Sequence, residues 1–111
     1  MRLGMDDVEW DENLCALADG RPFTGELVEY FADGTVSGTQ EYRHGFQDGI
    51  ERQYHPNGSL SQEGQWAQGR ETGVHRYWYP GGQLKEQREF ADDGRVHRIL
   101  RWAEDGSLIE R

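Results

Sequence analysis

Four histidines, one cysteine and four serines are the side chains through which this chain could hold a metal or form a covalent intermediate. His44, His55, His75 and His97 share no metal-ligand spacing, and a lone Cys15 offers no thiolate cluster. Cys15 lacks the local motifs that flag thiol enzymes. Ser37, Ser59, Ser61 and Ser107 have no Gly-x-Ser-x-Gly context. No Gly-x-x-x-x-Gly-Lys-Ser/Thr sequence is present, so the glycines read as turn residues and not as a phosphate cradle. With 21 acidic residues, close carboxylate pairs arise by accident. The expectation is a protein without catalytic residues, bound metal or cofactor, and not an enzyme.

The elements that would position any site must be drawn from 111 residues, one domain's worth. Only 34% are hydrophobic, but 4 Trp, 5 Tyr and 4 Phe set the chain apart from disordered sequences, which are poor in aromatics. No apolar run is long enough to span a bilayer, and residues 1–7 lack the apolar stretch of a signal peptide. With a single cysteine, these features predict a soluble, cytoplasmic protein. The net charge is -9. Residues 1–69 hold 13 acids and 4 bases, whereas residues 70–111 hold 8 of each, so the whole excess lies in the first part. Nucleic acid and anionic membrane are excluded as expected partners, because both call for a basic surface. A basic protein is favoured.

The chain repeats with a period of 24. Gly34, Gly58, Gly82 and Gly106 form one column; Tyr30, Tyr54, Trp78 and Trp102 a second. Val36, Leu60, Leu84 and Leu108 form a third, Tyr42, Trp66 and Phe90 a fourth, and Gly25, Gly49 and Gly73 a fifth. Three repeats run at about 25–48, 49–72 and 73–96, followed by a truncated fourth at 97–111. Asp33-Gly34, Asn57-Gly58 and Asp105-Gly106 are hairpin signals. A two-residue turn would pair residue 31 with 36. A three-residue loop would pair 30 with 36, and Pro56 and Pro80 fit its type I turn. The apolar pattern selects the second.

That register places fifteen residues on one face as the expected core: Val28, Tyr30, Val36, Tyr42, Ile50, Tyr54, Leu60, Trp66, Val74, Trp78, Leu84, Phe90, Leu100, Trp102 and Leu108. The other face is mostly polar. Residues 1–18 form an acidic segment expected to serve as an edge strand or a cover, with a strand over Asn13–Ala18. Residues 19–111 form the repeat domain. The fold class is all-β, an elongated antiparallel meander of about four tandem hairpins.

The run Tyr54-His55-Pro56-Asn57-Gly58-Ser59-Leu60, then Trp66-Ala67-Gln68-Gly69-Arg70-Glu71-Thr72-Gly73, resembles the MORN-type repeat in its bacterial variant. So does Gly20-Arg21-Pro22-Phe23-Thr24-Gly25-Glu26. The resemblance covers residues 19–111 and points to the YwqK-like antitoxin or immunity family. It implies a protein that binds and occludes a cognate toxin, and it transfers no catalytic residue. Face and charge together nominate Glu29, Phe31, Glu41, Glu51, His55, Glu63, Tyr77 and Tyr79 as partner contacts, with exposed aromatics among polar residues acting as hot spots. The expected partner is a protein toxin with a basic surface. A general MORN-type interaction scaffold is the alternative. Oligomeric state is left open.

Overall fold

Alternation of two turn types builds the molecule. In the computed structural model, which describes residues 1–110, the strands are β1 (Arg2–Gly4), β2 (Glu9–Trp10), β3 (Ala16–Ala18), β4 (Arg21–Pro22), β5 (Gly25–Tyr30) and β6 (Val36–Arg43). They continue as β7 (Phe46–Tyr54), β8 (Leu60–Ala67), β9 (Arg70–Trp78), β10 (Leu84–Phe90), β11 (Val96–Trp102) and β12 (Leu108–Glu110). A 3-10 turn, Met5–Asp7, follows β1. Nine strands form one sheet in the order β1-β5-β6-β7-β8-β9-β10-β11-β12; β2, β3 and β4 form a second, small sheet. β5 to β12 are an antiparallel meander, and β1 joins β5 in parallel. The radius of gyration is 15.5 Å, against about 13 Å for a compact domain of similar length. The meander is therefore elongated, as the repeat predicts. No helix among the described residues is long and apolar enough to cross a membrane.

The wide turns are those the apolar pattern selects. Tyr30 pairs with Val36, Tyr54 with Leu60, Trp78 with Leu84 and Trp102 with Leu108. In the first, Phe31 N–H donates to Thr35 C=O at 2.8 Å and Gly34 N–H to Phe31 C=O at 2.9 Å. Asp33 Oδ1 accepts from both Thr35 N–H (2.9 Å) and Thr35 Oγ1 (2.6 Å). Asn57 with Ser59 and Asp105 with Ser107 repeat that clasp one period and three periods later. This is the local side-chain bonding that makes Asp and Asn turn formers. Between the wide turns lie tight ones. His44-Gly45 and Gln68-Gly69 both have positive φ at both positions, the requirement of a two-residue type I′ turn. Near Gly94 the extra residue in Asp92-Asp93-Gly94 converts a tight turn into a wide one, pairing Phe90 with Val96.

Each wide turn is followed by a bulge, and the bulge corrects the expected core. Glu29 pairs with Gly38 while Tyr30 pairs with Val36, so Ser37 is extra. Ser61 and Lys85 are extra in the same way. One unpaired residue reverses which face the following residues occupy. Tyr42, Trp66 and Phe90 therefore lie on the face opposite Val36, Leu60 and Leu84. Tyr30 and Leu108 are exposed, and of the fifteen only Val28 is fully buried.

The apolar core sits at the N-terminal end. Val8, Ala16, Phe23 and Leu27 pack together, with Leu3, Ala18 and Tyr42 against them. The small sheet covers the large one here. Trp10 meets Tyr42 edge-on at 6.0 Å and Phe23 lies 6.2 Å from the same ring. Ala16 N–H donates to Gly45 C=O and Gly45 N–H to Phe23 C=O, both at 2.8 Å, which stitches the cover to the first tight turn. Leu27 and Phe23, at 1% and 2% exposure, each contribute about 1.5–3 kcal/mol by burial. The expected strand over Asn13–Ala18 is shorter. Asp11 Oδ1 accepts from Asn13 N–H and Cys15 N–H, and Leu14 takes φ 62°, so the chain turns until Cys15.

Candidate functional site

The buried face of the large sheet carries a column at the repeat period: Leu27, Glu51, His75 and Ile99. Their cross-strand neighbours decide what each can be. Leu27 lies under the cover. Glu51 does not, yet it is 6% exposed. Its carboxylate accepts from Gln40 Nε2 (3.3 Å), Gln47 Nε2 (3.3 Å), Gln53 Nε2 (3.0 Å) and the Trp66 indole N–H (2.8 Å). Three carboxamides and an indole replace the water that a buried carboxylate would otherwise lose. Such an anion is held in place by neutral donors.

His75 is fully buried. Its Nε2 lies 2.7 Å from Gln65 C=O and 3.2 Å from Gln65 N. The shorter contact requires a proton on Nε2, so Nε2–H donates to the carbonyl and the amide cannot donate to the same nitrogen. Nδ1 then has no partner within hydrogen-bonding distance; Glu71 Oε2 is 3.7 Å away. The ring lies edge-on to Phe90 at 4.7 Å and to Trp66 at 6.3 Å. It occupies space freed by Gly64, where a Cβ would stand 2.2 Å from Nδ1. Further along, Glu86 receives Arg101 Nε at 2.9 Å and is also bonded by Arg88, while Arg88 stacks over Tyr77 at 5.6 Å. Burial pushes the Glu86 carboxyl up, but the bonds from Arg101 and Arg88 outweigh it and hold the group below its ordinary pKa. These are interior supports of a single-layer sheet.

The eight nominated residues do not form one patch. Glu29, Glu51 and Tyr77 lie on the buried face, through their pairing with Gly38, Gly64 and Glu86. Of these, Glu51 is interior, which corrects its expected place on an exposed face. Glu41 and Glu63 lie on the open face. Glu41 Oε2 accepts Ile50 N–H at 3.0 Å, bridging an irregularity between β6 and β7, and Glu63 pairs with Arg52 at 2.8 Å. Phe31, His55 and Tyr79 lie in the row of wide turns. His55 Nε2 meets Trp78 C=O and Tyr79 O–H donates to Trp102 C=O, both at 2.8 Å, so these two tie each hairpin to the next. Phe31 lines a cleft with Tyr54, His55 and Val36.

Cys15 is packed inside, its Sγ 3.8 Å from His44 C=O. Burial raises its thiol above the ordinary pKa and Asp11 adds to the rise, so thiolate is suppressed. Among the described residues no three His, Cys, Asp or Glu side chains gather where a metal could bind.

Two clefts flank β1, and no motif in the sequence marks them. The larger, about 850 Å³, is lined by Leu3, Asp7, Asp19, Arg21 and Phe23 among others; the second, about 490 Å³, by Met5, Asp6, Glu29 and Tyr30. Residues 47–68 and 71–92 match the family model of the MORN repeat variant. Over those residues the chain carries MORN-type repeats. The two matched segments begin 24 residues apart and each holds a β-hairpin, β7–β8 and β9–β10. No curated protein and no solved structure matches the chain.

Proposed function

We propose that this MORN-type repeat protein is an interaction module whose acidic N-terminal half binds a basic protein, as an immunity or antitoxin protein that occludes its toxin. The observation that carries this is the segregation of charge. All of the -9 lies in residues 1–69, and Asp6, Asp7, Glu9, Glu12, Asp19, Asp33 and Glu41 are exposed there. A one-signed surface steers an oppositely charged partner and raises its association rate. The hairpins behind it are tied to one another through His55 and Tyr79, which supports a preformed and stiff platform. The resemblance to YwqK-like proteins supports a toxin as the partner. The test is co-purification with a toxin encoded beside this protein's gene, read with and without salt. Formation of a stoichiometric complex that weakens with salt supports the proposal. A scaffold without a toxin partner predicts no complex and no rescue of growth when the two are co-expressed.

A further inference from the structure

We propose that the outer edge of β1 takes an added β-strand from a basic, extended segment of the protein partner, an inference that rests on the reading of the acidic half as the partner surface. β1 is the outermost strand of the large sheet among the described residues. Its register is Arg2↔Glu26, Leu3↔Leu27 and Gly4↔Val28, and Met1 C=O accepts Glu26 N–H at 2.8 Å. In a parallel ladder, alternate residues of a strand turn both backbone groups toward the neighbour. Met1 and Leu3 therefore turn toward β5, and Arg2 and Gly4 turn away. Gly4 N–H is taken by Asp7 Oδ2 at 2.9 Å. Arg2 N–H, Arg2 C=O and Gly4 C=O are left directed outward, which is the template that strand addition uses.

The side-chain geometry agrees. A β-strand sends successive side chains to opposite faces. Two clefts lie beside β1: one is lined by Leu3 and Phe23, the other by Gly4, Val28, Glu29 and Tyr30, and Asp7 lines both. Their rims carry Asp6, Asp7, Asp19 and Glu29 against Arg21. Arg2 is already paired with Glu26 at 3.1 Å. Cationic side chains thus fit both clefts. The other end of the sheet, β12, belongs to the neutral part of the chain and offers no such complementarity.

The test is an amide NMR titration at low salt with a synthetic peptide alternating arginine and valine. The expected result is that Arg2 and Gly4 amides shift and Arg2 N–H gains protection from exchange. Arg2→Pro removes that one outward donor, and proline is tolerated on an edge strand. It also removes a positive charge, so a purely electrostatic contact would tighten; strand addition predicts binding about tenfold weaker, the worth of one backbone hydrogen bond. The same peptide with its backbone amides N-methylated keeps the charge but has no N–H to give to Arg2 C=O or Gly4 C=O, and its binding should be lost. That comparison uses the unaltered protein and decides the matter even if the variant fails to fold. Equal binding of the N-methylated peptide, or shifts confined to other residues of 1–69, overturns the edge and leaves the acidic-surface reading standing. Absence of any shift in 1–69 overturns both.

Discussion

The two ends of the sheet solve one problem differently. Leu27 and His75 occupy the same place in the repeat, two periods apart, and each is buried to 1% or less. At the N-terminal end a second layer, β2 to β4, lies over the sheet, and the position is filled by a leucine in an apolar cluster. Further along, no second layer covers the sheet among the described residues. Glu51 and His75 are buried there by their own neighbours, under Trp66, Phe90 and a set of glutamines. A single sheet with one apolar face needs a cover. Where the cover is missing, polar side chains that bond to one another along the face take over.

The largest expected effect is at the covered end. Leu27→Ala removes a fully buried side chain and leaves a cavity, costing about 2–5 kcal/mol in denaturant unfolding. Ile99→Ala, the matching change where the sheet is uncovered and the side chain only half-buried, should cost clearly less; equal losses would erase the contrast between the ends.

At the polar end, Trp66→Phe removes the indole donor to a buried carboxylate. The expected loss is about 1.5–3 kcal/mol, as for a hydrogen bond to a charged group. If Glu51→Leu restores most of that stability in the double variant, the donor and not the ring volume accounts for the loss. Gly64→Ala sets a methyl against the His75 ring and should cost about 1–3 kcal/mol. His75→Ala in the same chain should make the added methyl nearly neutral. Additive losses would show that Gly64 is needed for a different reason.

The smallest effect belongs to the turns, which both ends share. The Asp33 and Asp105 carboxyls lie below the ordinary aspartate pKa, because the Thr35 and Ser107 hydroxyls donate to them and the same residues' N–H groups add to this. A carboxyl whose folded pKa is lowered contributes stability above its unfolded pKa, and that contribution is lost as pH falls through the folded value. Loosening of the Thr35 and Ser107 amides by NMR is therefore expected only below the ordinary aspartate range. Unchanged amides through that acid range would show that the clasp does not hold the turn.

Much of the fold can be read from the residues alone. The period, the hairpin count and the pairing across Asp33-Gly34 follow from glycine and aromatic spacing. The bulges at Ser37, Ser61 and Lys85 do not, since serine and lysine carry no signal for an unpaired strand residue. That single omission moved Tyr42, Trp66 and Phe90 to the wrong face. The candidate contacts rest on the same alternation: Glu41 and Glu63 lie on the open face as expected, but across the sheet from Glu29 and Glu51 and not beside them. Glu51 was out of reach for another reason: its burial depends on Gln40, Gln47, Gln53 and Trp66 converging from three strands, and no local pattern encodes that. The acidic bias of residues 1–69 is legible by counting, but the clefts beside β1 exist only once β1 pairs with a strand more than twenty residues away.

Hydrogen-exchange footprinting of the complex with the toxin recovered by co-purification tests the central claim most directly. The account predicts new protection within residues 1–69, centred on β1, β5 and the turns between them. Protection confined to residues 70–111, with the acidic half exchanging as in the free protein, would contradict it.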